Sequence, residues 1–382
     1  MKKRLKSKKF NFIPVNKPLI TKEDIIYLNK SISKGWISSE GPEVKRFENN
    51  FSDFIGHKYS VAISSGTAAL EIAIKSLKLK KGDEVIIPNF TIISNALAVL
   101  KENLSIKLVD CSIKDWNMNI SEVEKKITKK TKAIIATHIY NFPLRIDILK
   151  KICIKNKIIL VEDAAEVVGQ KLNNKLCGSF GDISIFSFYA NKQITTGEGG
   201  MITTNNKKLY EQSKSLRNLC FGKQDRFNHE GIGWNYRMTN LQASLGVSQL
   251  KRIKSIVGKR HKVGKEYFQR LRNNKNIYIP EISRSYAKNI YWVIAFVITN
   301  QNLKIDAKKL MKMLIKHGIQ TRPFFWPMHM QKVLKNKYKI SNGDNFKNSE
   351  YISRYGLYLP SSLDIKSNQI KFICDKVNSI LK

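Results

Sequence analysis

Acidic residues are scarce in this chain. Only 30 Asp and Glu stand against 68 Lys and Arg in 382 residues, which leaves a formal charge of +38. A surplus of that size, taken alone, points to nucleic acid or an anionic membrane surface as partner. The pattern argues otherwise, because the basic residues run the whole length of the chain and no zinc-finger spacing, RRM signature or heptad series accompanies them. No nucleic-acid partner is therefore expected, although diffuse positive charge does favour a small, doubly anionic substrate. Cysteine is also sparse. The five (Cys111, Cys153, Cys177, Cys220, Cys374) are odd in number, widely spaced and free of any CxxC pair, so no disulfide framework or metal site is expected and reduced thiols in a cytoplasmic protein fit best. Long apolar runs are missing too. The longest uncharged stretch, Val85 to Leu100, contains Pro88, Asn89 and Asn95 and falls short of a membrane span. Six of the first nine residues are basic, but Asn11, Pro14, Asn16 and Lys17 interrupt anything resembling a signal peptide.

What is present is an α/β alternation. A basic tail is expected over residues 1–15, a large domain over 16–255 and a smaller one over 256–382. Thr21 followed by Lys-Glu-Asp reads as a capped helix start, and a second helix runs from Glu43 to Phe54. The loop between them, Gly35 to Pro42, carries Trp36 and Ser38. Trp36 reads either as a ligand contact or as a plug between the two helices. Strands are predicted at Ser60–Ile63, Glu84–Ile87, Ile106–Val109, Ala133–Thr137, Ile158–Glu162, Ile183–Phe188 and Met201–Thr204. Strands and helices in alternation imply a mostly parallel sheet, with ligands gathering at the carboxyl ends of its strands.

Three features converge there. Gly66, Thr67 and Ala68 open a helix running to Leu77, and the free N–H groups of a helix start suit a phosphate, although a plain helix start reads the same way. Asp163 ends an apolar strand, where it serves either as an N-cap or as the partner of a buried cationic N–H such as a protonated pyridine nitrogen. Lys192 lies between the strand Ile183–Phe188 and the turn Gly197-Glu-Gly-Gly200. An amine losing solvation there gives up its proton more readily and can condense with an aldehyde such as pyridoxal phosphate, while in a lysine-rich chain a solvated surface residue is the bland alternative. Ser187, five residues earlier, is placed to add a hydroxyl to the phosphate cradle.

In combination these segments resemble the pyridoxal-phosphate-dependent nucleotide-sugar aminotransferases of the DegT/StrS type, within the fold-type-I aminotransferases. The resemblance runs over nearly the whole chain. It is carried by Ser64-Ser-Gly-Thr-Ala-Ala-Leu70, Gly82-Asp-Glu-Val-Ile-Ile-Pro88, Glu162-Asp-Ala-Ala165, Gly181-Asp-Ile-Ser184, Ser187-Phe-Tyr-Ala-Asn-Lys192, Gly197-Glu-Gly-Gly200 and Asn235-Tyr-Arg-Met238. It implies an α/β large domain, its mostly parallel sheet between helices, and a smaller C-terminal α+β domain. It further implies that Lys192 holds the cofactor covalently, that Asp163 pairs with the ring nitrogen, and that Gly66, Thr67 and Ser187 hold the phosphate. Asn235, with Arg237 close by, would reach the cofactor of a neighbouring subunit, which makes the expected assembly a homodimer with shared sites. The implied reaction takes an amino group from glutamate to the C4 ketone of a nucleotide-linked 4-keto-6-deoxy sugar. The branch it looks most like uses GDP-linked sugars, with UDP-linked sugars as the nearest alternative.

The sequence departs from the family pattern in places. Ile92 stands where an aromatic usually packs on the cofactor ring, so an aliphatic contact or Phe90 takes that part. Glu166 stands where Gln or His is frequent and should be protonated or well paired near the ring oxygen. Asn141 stands where glycine is usual. Arg322 and His329 are candidates for contact with the sugar or its diphosphate, with the neighbouring Phe324, Phe325 and Trp326 as an alternative inter-domain core. A noncatalytic cofactor-binding regulator is disfavoured because Lys192 and Asp163 are both present, and a 3-dehydratase, in which histidine replaces the lysine, because Lys192 is.

Overall fold

The computed structural model describes residues 12–222, 224–338, 340 and 345–382. Its first half is built on β1 (Tyr59–Ile63), β2 (Glu84–Pro88), β3 (Ser105–Val109), β4 (Thr131–Thr137) and β5 (Ile159–Asp163). A short hairpin of β6 (Lys171–Leu172) and β7 (Lys175–Leu176) follows, then β8 (Ile183–Ser187) and β9 (Gly200–Thr204). All but the hairpin form one seven-stranded sheet in the order β1-β9-β8-β5-β4-β2-β3. Each predicted strand is there, with ends moved by one or two residues. From β8 to β3 the strands are parallel, and β9 runs antiparallel to both its neighbours. The central strands are covered on both faces, which is why Val85-Ile86-Ile87 and Ile134-Ile135-Ala136 are unbroken apolar runs and are fully buried.

Helices α1 (Lys22–Ser33), α2 (Pro42–Ile55), α3 (Gly66–Ser76), α4 (Ser94–Lys101), α5 (Ile120–Lys126), α6 (Ile146–Asn156), α7 (Lys207–Arg217), α8 (Asn240–Lys251) and α9 (Ile253–Leu271) pack around this sheet. The predicted start of α1 is a capping box, as is the start of α8: Thr21 N–H donates to Asp24 Oδ2 at 2.8 Å and Thr239 N–H to Gln242 Oε1 at 2.9 Å. Asp24 also accepts from Ser248 and Arg252, so one buried carboxylate pins α1 to α8 and to the start of α9.

The 19-residue α9 leads into the second half. Here β10 (Ile277–Tyr278), a hairpin of β11 (Ser283–Arg284) and β12 (Ala287–Lys288), β13 (Ile294–Ile298), β14 (Arg322–Pro323) and β15 (Gly356–Leu359) are interleaved with α10 (Ala307–Ile315), α11 (Lys332–Tyr338), α12 (Lys347–Tyr355) and α13 (Ser367–Ile380). β10, β13, β15 and β14 form a four-stranded antiparallel sheet in that order. The two sheets share a core. Tyr140, after β4, packs on Phe324 at 4.7 Å, Phe325 at 5.1 Å and Trp292 at 5.8 Å between ring centroids, and Trp116 packs on Phe324 at 4.9 Å. Phe324 is thus part of an inter-domain core while Trp326 is exposed.

Of the basic tail expected over 1–15, residues 1–11 lie outside the described residues. The remainder departs from that expectation. Ile13 is buried, its N–H donates to the Gly318 carbonyl at 2.7 Å, and its carbonyl accepts from Gln320 N–H at 3.0 Å. An apolar side chain and two backbone bonds therefore fix this segment against the second half.

Candidate active site

The carboxyl ends of β5 and β8 and the start of α3 meet around a cavity of about 300 Å³. Close packing creates it. A Cβ on Gly66 would lie 2.8 Å from Ser187 Cβ, and one on Gly200 would lie 2.5 Å from the Ser65 carbonyl oxygen, so larger residues at either position would push β8 and β9 off the helix start. Ser65 is the N-cap of α3, and its Oγ accepts from Ala68 N–H at 3.1 Å. That bond takes up the amide expected to serve a phosphate: Ala68 is buried and lies off the cavity wall, whereas Ser65, Gly66, Thr67 and Ser187 line it. Ser65, the serine before the glycine, lines the cavity, and its sequence signal is its place as the N-cap. Thr67 Oγ1 is held at 2.8 Å from Ser94 Oγ.

Opposite the helix start stand two acids and a lysine. Asp163 is buried at the last position of β5, with Oδ1 accepting from Ala165 N–H at 3.1 Å and Oδ2 facing Thr137 Oγ1 at 3.4 Å. Burial raises its pKa, opposed by the Ala165 N–H and by the charge of Lys192. Glu166 is buried beside it, accepts from Tyr140 N–H at 2.7 Å, and is pushed up to about 8, mainly by desolvation. Lys192 lies on the same wall with Nζ 3.8 Å from the centre of the Trp292 ring. Desolvation lowers its pKa, against the pull of Glu166 and Asp163. Glu162, the neighbour of Asp163, is not part of this chemistry: it accepts from the N–H groups of Gly178, Phe180 and Gly181 and meets His138 Nε2 at 3.0 Å, which fixes the turn before β8.

These residues fit the expected cofactor. A buried carboxyl with no cation bonded to it among the described residues, a helix start lined with hydroxyls and a desolvated amine share one cavity, and these groups suit a ring nitrogen, a phosphate and an aldehyde in turn. Ile92 lines the cavity where an aromatic was the alternative, while Phe90 is fully buried against Tyr140 and Phe324, away from it. Asn141 is buried, with its carbonyl accepting from Ile290 N–H at 3.0 Å; no consequence for the cavity follows from it.

Other expected residues do not reach this space within one chain. Trp36 and Ser38 are exposed, and their carbonyls accept from Asn240, which holds their loop on α8. Asn235 is exposed and Arg237 Nη1 donates to Asn218 Oδ1 at 2.6 Å. Arg322 is exposed on the edge strand β14, opposite the cavity residue Tyr358. His329 is engaged elsewhere, with Nδ1 on Asn89 and Nε2 3.1 Å from Glu350, outside the cavity. Trp292 and Tyr358 line the cavity without having been singled out, and Phe325, named above for an inter-domain core, lines it too. For Trp292 and Tyr358 the only sequence signal is an aromatic among fourteen Tyr and five Trp, which identifies neither.

A profile for the DegT/DnrJ/EryC1/StrS aminotransferase family matches residues 18–378. A GDP-perosamine synthase of Escherichia coli O157:H7 is 32% identical over 367 residues, covering 96% of this chain and 98% of that protein. Among solved structures, Helicobacter pylori PseC, an aminotransferase involved in the biosynthesis of pseudoaminic acid, superposes with a TM-score of 0.91 at 23% identity, covering 97% of this chain and 99% of that one. An E. coli GDP-4-keto-6-deoxy-D-mannose-3-dehydratase with bound hydrated PLP superposes with a TM-score of 0.87 at 24% identity, covering 97% and 99%.

Proposed function

Since the chain belongs to the DegT/DnrJ/EryC1/StrS aminotransferase family and is a pyridoxal-phosphate-dependent sugar aminotransferase, we propose that it transfers the amino group of glutamate to the C4 ketone of GDP-4-keto-6-deoxymannose, releasing 2-oxoglutarate and GDP-perosamine. One observation carries the reading: Lys192 Nζ lies desolvated on the wall of a cavity that also holds buried Asp163 and the hydroxyl-lined start of α3. The identity with a GDP-perosamine synthase over 96% of the chain supports the choice of sugar.

Bound pyridoxal phosphate supplies an aldehyde that condenses with amines and a ring that draws electrons from the attached carbon. The protein supplies the rest. The amine of Lys192 would hold the cofactor and, when free, would remove and return a proton at the reacting carbon, acting as base and acid in turn. Asp163 would hold the ring nitrogen and its proton. Glu166, whose pKa burial raises to about 8, would offer its proton toward the ring oxygen. The N–H groups at the start of α3, with the Thr67 and Ser187 hydroxyls, bind the phosphate.

The site is completed by a second copy of the chain in this reading. Asn235 and Arg237 stand outside their own cavity, on a segment whose Phe227 and Ile232 are 80% and 82% exposed. Apolar side chains so far exposed fit a homodimer in which each subunit closes the other's site. The five cysteines are buried and unpaired and no helix among the described residues is long and apolar enough to cross a membrane, which supports a cytoplasmic location. Incubation with glutamate and either GDP- or UDP-linked 4-keto-6-deoxy sugars, followed by mass and NMR analysis, tests the assignment. A 4-amino product only in the GDP series is expected. A product only in the UDP series overturns the sugar, and a bound cofactor with no product in either overturns catalysis.

A further inference from the structure

Arg260 is the least explained charge in the molecule. It lies on α9, is 3% exposed, and has no carboxylate bonded to it among the described residues. All of its partners are carbonyl oxygens: Nη1 donates to Trp292 at 2.9 Å and Nη2 to Lys192 at 3.3 Å, while Nε is buried without a partner. Burying a guanidinium with only neutral acceptors is costly, and burial lowers its pKa to about 10, still cationic at neutral pH. Trp292 Nε1 in turn donates to the Asn191 carbonyl at 2.9 Å, so arginine, tryptophan and the backbone at 191–192 form a closed ring of bonds behind the amine. α9 is shaped for this contact: a Cβ on Gly264, one turn further on, would lie 2.2 Å from the ring of Tyr291.

We propose that Arg260 is a positioning residue for the transfer reaction, holding the Lys192 carbonyl in place and keeping a resident positive charge behind the amine, so that one carboxylate of the cavity is balanced without Lys192 keeping its proton. The inference rests on the reading of Lys192 as the attachment lysine. The charge count supports it. Asp163 and Glu166, at the end of β5 and in the turn after it, act on Lys192, while Glu198 of the glycine turn and the phenols of Tyr189, after β8, and Tyr358, on β15, line the same cavity. Behind Glu166 stands Tyr140. With these acids alone, and with the Trp292 ring face next to Nζ, the ammonium form is favoured. Arg260 is the opposing charge that acts on Lys192. Arg260 and Lys192 together line a void of about 10 Å³ with neutral Gln193, Thr195 and Gln249 and with Lys17, whose Nζ lies 3.9 Å from Asp364. No carboxylate among the described residues lines that void to cancel the charge of Arg260.

The test uses the cofactor-loaded wild type, R260Q and R260K, with visible absorbance followed against pH. R260Q keeps amide donors for the carbonyls but loses the charge, and its midpoint should rise by about one pH unit. R260K keeps the charge but loses the fork, so its midpoint should stay within about 0.3 unit of wild type while kcat falls about tenfold with KM within about twofold. A midpoint unmoved in R260Q, or moved as far in R260K as in R260Q, overturns the proposal and leaves Arg260 as packing. Should R260Q fail to fold by circular dichroism, R260M takes its place: a midpoint raised by about one unit supports the resident-charge role, and an unmoved one overturns it. Folded wild type without the absorbance band overturns the reading of Lys192 itself, which separates that failure from a band whose midpoint does not respond to Arg260.

Discussion

The inner wall of the cavity differs from an outer rim of loops that does not reach it within one chain. On the inner wall, Asp163 and Glu166 are buried and Lys192 is desolvated, with Arg260 buried behind it, and each is fixed by bonds to its own chain. On the outer rim, Trp36, Ser38 and Asn235 are exposed, their loops tied through the backbone to Asn240 and Asn218. The difference separates two tasks. Groups proposed to change protonation are set in low-dielectric surroundings by a single fold, while the loop residues proposed to meet the substrate or a second subunit stay exposed.

The sharpest cut through the inner wall is Lys192→Ala. It should lower kcat by about 10⁴-fold or more and abolish the visible absorbance of the loaded protein. Full turnover in that variant ends the assignment. Asp163→Asn comes next. Loss of the charge that holds a proton on the ring nitrogen should reduce kcat by about 10²–10³-fold while cofactor is still retained, and an unchanged kcat would remove Asp163 from the chemistry. At the rim the expected effect is smaller and of another kind. Trp36→Ala should raise KM for the sugar nucleotide by about tenfold and leave the absorbance intact. Loss of absorbance there would break the division between wall and rim.

The smallest effect is a pH slope. Glu166 ionises near its ordinary 4.5 in the unfolded chain and near 8 in the folded one, so between these values the folded state holds the extra proton. Its stabilising contribution is complete below the lower value and falls as the pH rises through the window. The cofactor-free protein should therefore lose less Tm between about pH 5 and pH 8 as E166Q than as wild type. Equal slopes would mean that Glu166 is ionised throughout.

Sequence carried the inner wall further than the rim, and for a physical reason. Asp163 and Lys192 sit at the junction of a buried strand and a turn, and that junction is visible as an apolar run ending in a charge or leading to glycines. Ser65 was passed over for Ala68 because which of the first amides of a helix is free depends on its cap bond. Arg260 left no signal. It is one of 68 basic residues, on a helix whose first turns are otherwise lysine-rich, and its partners are carbonyls, which every residue has. His329 misled for the same reason, since a histidine near aromatic residues gives no hint that Asn89 and Glu350 occupy both its nitrogens.

The ring of bonds behind Lys192 also orders events in time. Trp292 follows Lys192 by 100 residues, so at roughly 5–20 residues per second of synthesis the lysine exists for about 5–20 s before the residue that caps it has been made. A nascent chain stopped before Trp292 has the amine and both acids but lacks the bond that closes the ring. The ring therefore closes late in translation, after all seven strands of the large sheet, the last of which ends at Thr204, have been made.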